Sequence, residues 1–128
     1  MADKYKGVSI LLVEDDTFLG NIYKTKFEME GFKIFVADNG EKGLSEVKKK
    51  KPSIVLLDIL LPKMDGFAVL EALKKDENVK DIPVILLTNL GQKDDVEKGL
   101  EMGAIDYLIK AHFKPSEVVT KVKEVLNL

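Results

Sequence analysis

The sequence predicts an α/β domain built on a parallel five-stranded sheet with helices on both faces. Two observations carry that reading. Short apolar runs recur along the chain, each followed by a stretch of helical periodicity, so five βα units fit into 128 residues. The runs are near-continuous in Val, Ile and Leu, as in Ile54-Val55-Leu56-Leu57, which is the pattern of strands buried on both faces. Right-handed crossovers place helices on both faces only where the strand order reverses, so the sheet is expected to be doubly wound.

The first strand is Val8 to Val13. A helix follows from about Thr17 to Glu30. Asp16 or Thr17 can cap its free N–H groups, Leu19, Ile22, Tyr23 and Phe27 line one face, and Gly31 suits the turn after its end. Next come a strand from Lys33 to Ala37 and a helix from about Gly40 to Lys50 whose inward pair is Leu44 and Val47. The third strand, Ser53 to Leu57, ends in Asp58. The loop Leu61-Pro62-Lys63-Met64-Asp65-Gly66 then feeds a helix carrying Phe67, Val69, Leu70 and Leu73. Pro83 to Leu87 reads as the fourth strand, Asp94 to Met102 as the fourth helix, and Ile105 to Ile109 as the fifth strand. The last helix, about Pro115 to Leu126, has Pro in its first turn and repeats Val118, Val122, Val125 and Leu126.

Composition excludes several functions. Lys and Arg number 20 against 22 Asp and Glu, a net charge of −2, which argues against a chain devoted to nucleic acid. The absence of cysteine removes disulfides and thiolate metal sites. No apolar run approaches the roughly 20 residues that span a bilayer, and the first residues lack a signal peptide's apolar core. The expected address is cytoplasmic, with no membrane partner and no direct nucleic-acid contact.

Ligands of doubly wound sheets bind beyond the C-terminal ends of the strands. Here strand one ends in Glu14-Asp15-Asp16, strand three in Asp58, strand four in Thr88 and strand five in Lys110. Each has an ordinary structural explanation taken singly, and Asp16 reads best as a helix cap. Together they are less ordinary. Carboxylates gathered at one sheet edge repel one another unless a cation joins them, and oxygen ligands without His or Cys suit a hard cation such as Mg²⁺.

The segments Leu11-Leu12-Val13-Glu14-Asp15-Asp16, Asp58-Ile59-Leu60-Leu61-Pro62-Lys63-Met64-Asp65-Gly66, Thr88 and Tyr107-Leu108-Ile109-Lys110 resemble the signature segments of response-regulator receiver domains, in order and over essentially the whole chain. The resemblance implies a flavodoxin-like (βα)5 fold with strand order 2-1-3-4-5, the order known for the chemotaxis regulator of this family. It implies that Asp58 is the phospho-accepting aspartate and that Asp15 binds Mg²⁺ directly. Glu14 would reach the metal through water, and Asp58 and the carbonyl of Leu60 would supply further ligands. Thr88 matches the hydroxyl that bonds the phosphoryl group, Lys110 the cation that pairs with it, and Tyr107 the aromatic that changes rotamer on activation. The implied phosphodonor is a histidine kinase or histidine phosphotransfer protein. The implied output surface, the fourth helix, fifth strand and fifth helix, would meet an unidentified downstream protein. The resemblance also allows a phosphorylation-dependent dimer. Residues 1–128 are expected to form one receiver domain without an output domain, whose only chemistry is its own phosphorylation and dephosphorylation.

Four positions depart from the family pattern. Proline usually follows the strand-five lysine, commonly through a cis bond, whereas Lys110 is followed by Ala111. A cis bond before a residue other than proline costs about 3 kcal/mol, so Lys110–Ala111 is expected to be trans. Leu60 and Leu90, two residues past Asp58 and Thr88, cannot orient a hydrolytic water, which predicts a long-lived phospho-form. Asn89 is bulkier than the small residue expected after Thr88 and is expected to narrow donor access. Lys48 to Lys51 read as a solvated helix end and His112 as a surface residue.

Other readings fit less well. An aspartate-nucleophile phosphatase wants a second acid where Leu60 stands. A flavin or nucleotide carrier wants a Ser/Thr- or Gly-rich loop where Glu14-Asp15-Asp16 would repel phosphate. A pseudo-receiver, which binds without phosphorylation, would not need every site residue.

Overall fold

The structure, a computed structural model, describes residues 4–128. The elements are β1 (Tyr5–Val13), α1 (Thr17–Met29), β2 (Phe32–Ala37), α2 (Gly40–Lys50), β3 (Ile54–Leu57), α3 (Gly66–Lys75), β4 (Val84–Thr88), α4 (Lys93–Glu101), β5 (Asp106–Ile109) and α5 (Pro115–Leu126), with a 3₁₀ turn at Lys110–His112. All strand pairs are parallel, in the order β2-β1-β3-β4-β5. The chain steps outward from β1 to β2 and returns past β1 to β3. The reversal therefore lies between β1 and β3, and the expected doubly wound fold is the one observed.

Strand alternation divides the core. Leu11, Val13, Val55, Leu57, Val84 and Leu86 face one layer, where the buried Val47, Val69, Leu70 and Leu73 of α2 and α3 pack. Ile10, Leu12, Ile54, Leu56, Ile85 and Leu87 face the other, where Tyr23 and Phe27 of α1 meet Val118, Val119 and Val122 of α5. A strand apolar on both sides is thus a strand with a helical layer on each face.

Two expectations are corrected. β1 begins at Tyr5 rather than Val8: Tyr5 pairs with Phe32, its ring stacked on that of Phe32 at 4.6 Å, before a register shift leads to Ser9 opposite Lys33. The polar residues around Tyr5 hide this extension from a hydrophobicity reading. Ile22 is exposed, not part of the inner face of α1. It lies about 100° around the helix from Tyr23, which shares the buried side with Gly20 and Phe27. Asp16 caps α1, its Oδ1 accepting from Leu19 N–H at 3.0 Å, and Gly31 follows in the left-handed region with φ of 96°.

Candidate functional site

The sheet ladder continues past the strand ends and fixes the acids. Glu14 N–H donates to the Ala37 carbonyl (2.9 Å) and Asp58 N–H to the Val13 carbonyl (3.1 Å). The two backbones are therefore locked beside each other at the topological switch point. Gly66 holds the floor from below. Its N–H donates to the Ile59 carbonyl at 2.8 Å, and a Cβ there would collide with the Asp58 carbonyl and the Ile59 backbone. Next to it, Asp65 caps α3 by accepting from Ala68 N–H at 3.0 Å.

Carboxylate oxygens of Glu14, Asp15 and Asp58 all lie within 4.8 Å of one another. Glu14 and Asp58 are buried, at 2% and 5% exposure, while Asp15 faces solvent. Asp58 Oδ1 accepts from Leu60 N–H at 3.2 Å, and Oδ2 accepts from Lys110 Nζ at 2.5 Å. The same ammonium donates to Glu14 Oε1. Burial pushes the Glu14 carboxyl above its ordinary pKa, against the lowering effect of its bonds to Lys110 and to Asp16 N–H. Burial pulls Lys110 down, but hydrogen bonds and charges from Asp58 and Glu14 outweigh it and hold the ammonium above its usual value.

Three carboxylates against one ammonium leave a net −2 at the rim when all are ionised. That balance, with only hard oxygen donors and one carboxylate open to solvent, fits a divalent cation of the Mg²⁺ type. Glu14, Asp15 and Asp58 are the residues that would hold it, and the acidic triad resembles the metal-binding site of receiver domains.

Thr88 is fully buried at the end of β4, between β3 and β5 in the sheet, and its hydroxyl accepts from Leu90 N–H at 3.2 Å. Tyr107 is also buried, and its hydroxyl donates to the Leu90 carbonyl. Desolvation, with the charges of Asp95 and Asp58, pushes the phenol up to about 12. Leu60 is 59% exposed and Leu90 half-buried. The Asn89 side chain turns to the 3₁₀ turn after β5, where Oδ1 accepts from Ala111 N–H at 3.0 Å. Every peptide bond between described residues is trans, Lys110–Ala111 included. His112 is exposed, and Lys48, Lys49 and Lys50 form the last turn of α2. The close approach of Gly66 and the bond from Ala111 to Asn89 had no distinctive sequence signal beyond the Asp65-Gly66 pair and the missing proline.

Comparison with known proteins identifies the family. The profile described as "Response regulator receiver domain" matches residues 10–123. The chain is 38% identical over 118 residues to the DNA-binding dual master transcriptional regulator RpaA of Synechocystis sp., covering 92% of this chain and 48% of that protein. Among solved structures, the receiver domain of a signal transduction histidine kinase from Syntrophus aciditrophicus matches with a TM-score of 0.85 at 33% identity, covering 94% of this chain and 90% of that one. The BeF3-activated N-terminal receiver domain of Klebsiella pneumoniae RstA matches with a TM-score of 0.82 at 30% identity, covering 90% and 95%. The chain belongs to the response-regulator receiver domain family. Members are signalling modules whose own chemistry is confined to phosphorylation and dephosphorylation of themselves. The chain spans about half the length of the curated relatives it matches, 47% of the first. Among the described residues no helix is long and apolar enough to cross a membrane.

Proposed function

We propose that the protein is a phosphorylation switch in which Asp58 accepts a phosphoryl group from a histidine kinase or histidine phosphotransfer protein. The observation that carries this reading is the buried contact of Asp58 with Lys110 beside Glu14 and Asp15. An Asp58 oxygen attacks phosphorus, an O–P bond forms as the P–N bond to the donor histidine breaks, and the departing ring nitrogen takes up a proton. Glu14, Asp15, Asp58 and the Leu60 carbonyl would hold Mg²⁺. The metal would supply charge neutralisation at the transferring phosphoryl oxygens. Lys110 then exchanges its bond to the carboxylate for one to the phosphoryl group, and Thr88 donates its hydroxyl hydrogen to it. Tyr107, bonded to the Leu90 carbonyl of the same loop, changes rotamer with that loop. The altered α4, β5 and α5 face is read by a downstream protein.

Beryllofluoride with Mg²⁺ tests this as a phosphoryl mimic. The expected result is a set of amide shift changes at residues 58, 88 and 107–111 and along α4, β5 and α5, absent in Asp58→Asn. Saturating beryllofluoride with no change at those residues would overturn the reading.

A further inference from the structure

We propose that Asn89 is a positioning residue that joins the Thr88 loop to the Lys110 turn. The inference rests on the proposed function of that rim. The β4–β5 register ends with Thr88 opposite Ile109. One residue past Thr88 and two past Ile109, the Asn89 side-chain oxygen takes the N–H of Ala111 at 3.0 Å, so a side chain extends the join between the two strands. Asn89 is bonded covalently to Thr88 and Ala111 to Lys110. The clasp therefore fixes, from the residues directly outside them, the two groups that must converge on one phosphoryl group.

Its neighbours strengthen the join. The Tyr107 hydroxyl donates to the Leu90 carbonyl, and Gly91 packs so closely on Ile109 that a Cβ would lie 3.0 Å from its Cδ1. Residues 88–91 are thus tied to residues 107–111 by backbone, phenol and amide together. A proline at position 111 would have no N–H to bond. Ala111 has one, placed in an otherwise open turn, and Asn89 supplies its acceptor. The side-chain oxygen is committed to the clasp. The bulk of Asn89 serves attachment rather than access control.

Two measurements on the full chain test the clasp. Exchange of the Ala111 amide with solvent deuterium is expected to be about fivefold faster in Asn89→Ala and near wild type in Asn89→Asp, which keeps the acceptor. Phosphoryl uptake from acetyl phosphate with Mg²⁺ is expected to slow about fivefold in Asn89→Ala, and to be insensitive to that change in the Ala111→Pro background, where no N–H remains to hold. Unaltered Ala111 exchange in Asn89→Ala overturns the clasp. Uptake that is unchanged, faster, or equally slowed in both backgrounds overturns the positioning role, and faster uptake would assign Asn89 to access control. No uptake by the wild-type chain would count against the function itself, while the exchange measurement still decides the clasp.

Discussion

Lys110 reaches Asp58 across the end of β4, with Nζ 2.5 Å from Oδ2, and the same ammonium also holds Glu14. All three side chains are less than a tenth exposed. One cation thus bridges carboxylates that follow two different strands and offsets part of the cost of burying them side by side.

Removing that cation has a clear cost. Lys110→Met leaves two buried carboxylates without their partner, which is expected to lower stability by about 3 kcal/mol. Mg²⁺ is expected to recover more stability in the variant than in the wild type, because it meets a more negative rim. Denaturant titrations with and without Mg²⁺ check both statements. Equal stability of variant and wild type would contradict the pairing argument.

Tyr107 gives the fold a pH dependence of known sign. Its phenol is raised from about 10 to about 12 by desolvation and by the charges of Asp95 and Asp58. Below pH 10 both states keep the proton, and the group's contribution is fully present. Between about 10 and 12 the unfolded chain ionises first, so stability falls by roughly 2 to 3 kcal/mol. Tyr107→Phe is expected to lack that component of the fall. Denaturation at alkaline pH, compared between the two proteins, measures it, and parallel curves would contradict the assignment.

Gly66 is required by space rather than by φ. A methyl group there meets the Asp58 carbonyl and the Ile59 backbone, neither of which can move without moving Asp58. Gly66→Ala is expected to cost about 1 to 3 kcal/mol and to slow phosphoryl uptake. Full stability and uptake in this variant would show that the loop has more freedom than the packing indicates.

The phospho-form is expected to be long-lived, since neither Leu60 nor Leu90 can hydrogen-bond a water through its side chain. Leu60→Asn with Leu90→Glu is expected to speed loss of phosphate at least about tenfold. The decay of phosphorylated protein after donor removal gives the rate. Because Leu90 packs on the core, the stability of the double variant is measured alongside. An unchanged rate in a folded double variant would refute the role of these positions.

Much of the fold was legible in the sequence because buried parallel strands leave an unmistakable run such as Ile54 to Leu57. The start of β1 was not, because Tyr5 stands among polar residues ahead of the apolar run. Ile22 was misplaced because apolar side chains on α1 outnumber the places on its inner face. At the site, strand ends are set by topology, so Glu14, Asp15, Asp58, Thr88 and Lys110 could be assigned to one rim from sequence. Their pairing could not. Lys110 and Glu14 are 96 residues apart, and nothing in the spacing says that one ammonium serves both Glu14 and Asp58. The bonds of Tyr107 to Leu90 and of Ala111 to Asn89 depend on loop paths that carry no periodicity.

Asp58 is proposed as the phosphoryl acceptor of a cation-dependent switch. The most direct measurement is the intact mass of the protein after incubation with acetyl phosphate. Three samples decide it: wild type with Mg²⁺, wild type with chelator, and Asp58→Asn with Mg²⁺. A single base-labile phosphoryl adduct is expected in the first sample alone. An adduct that persists in Asp58→Asn or without Mg²⁺, or none in any sample, would contradict that role.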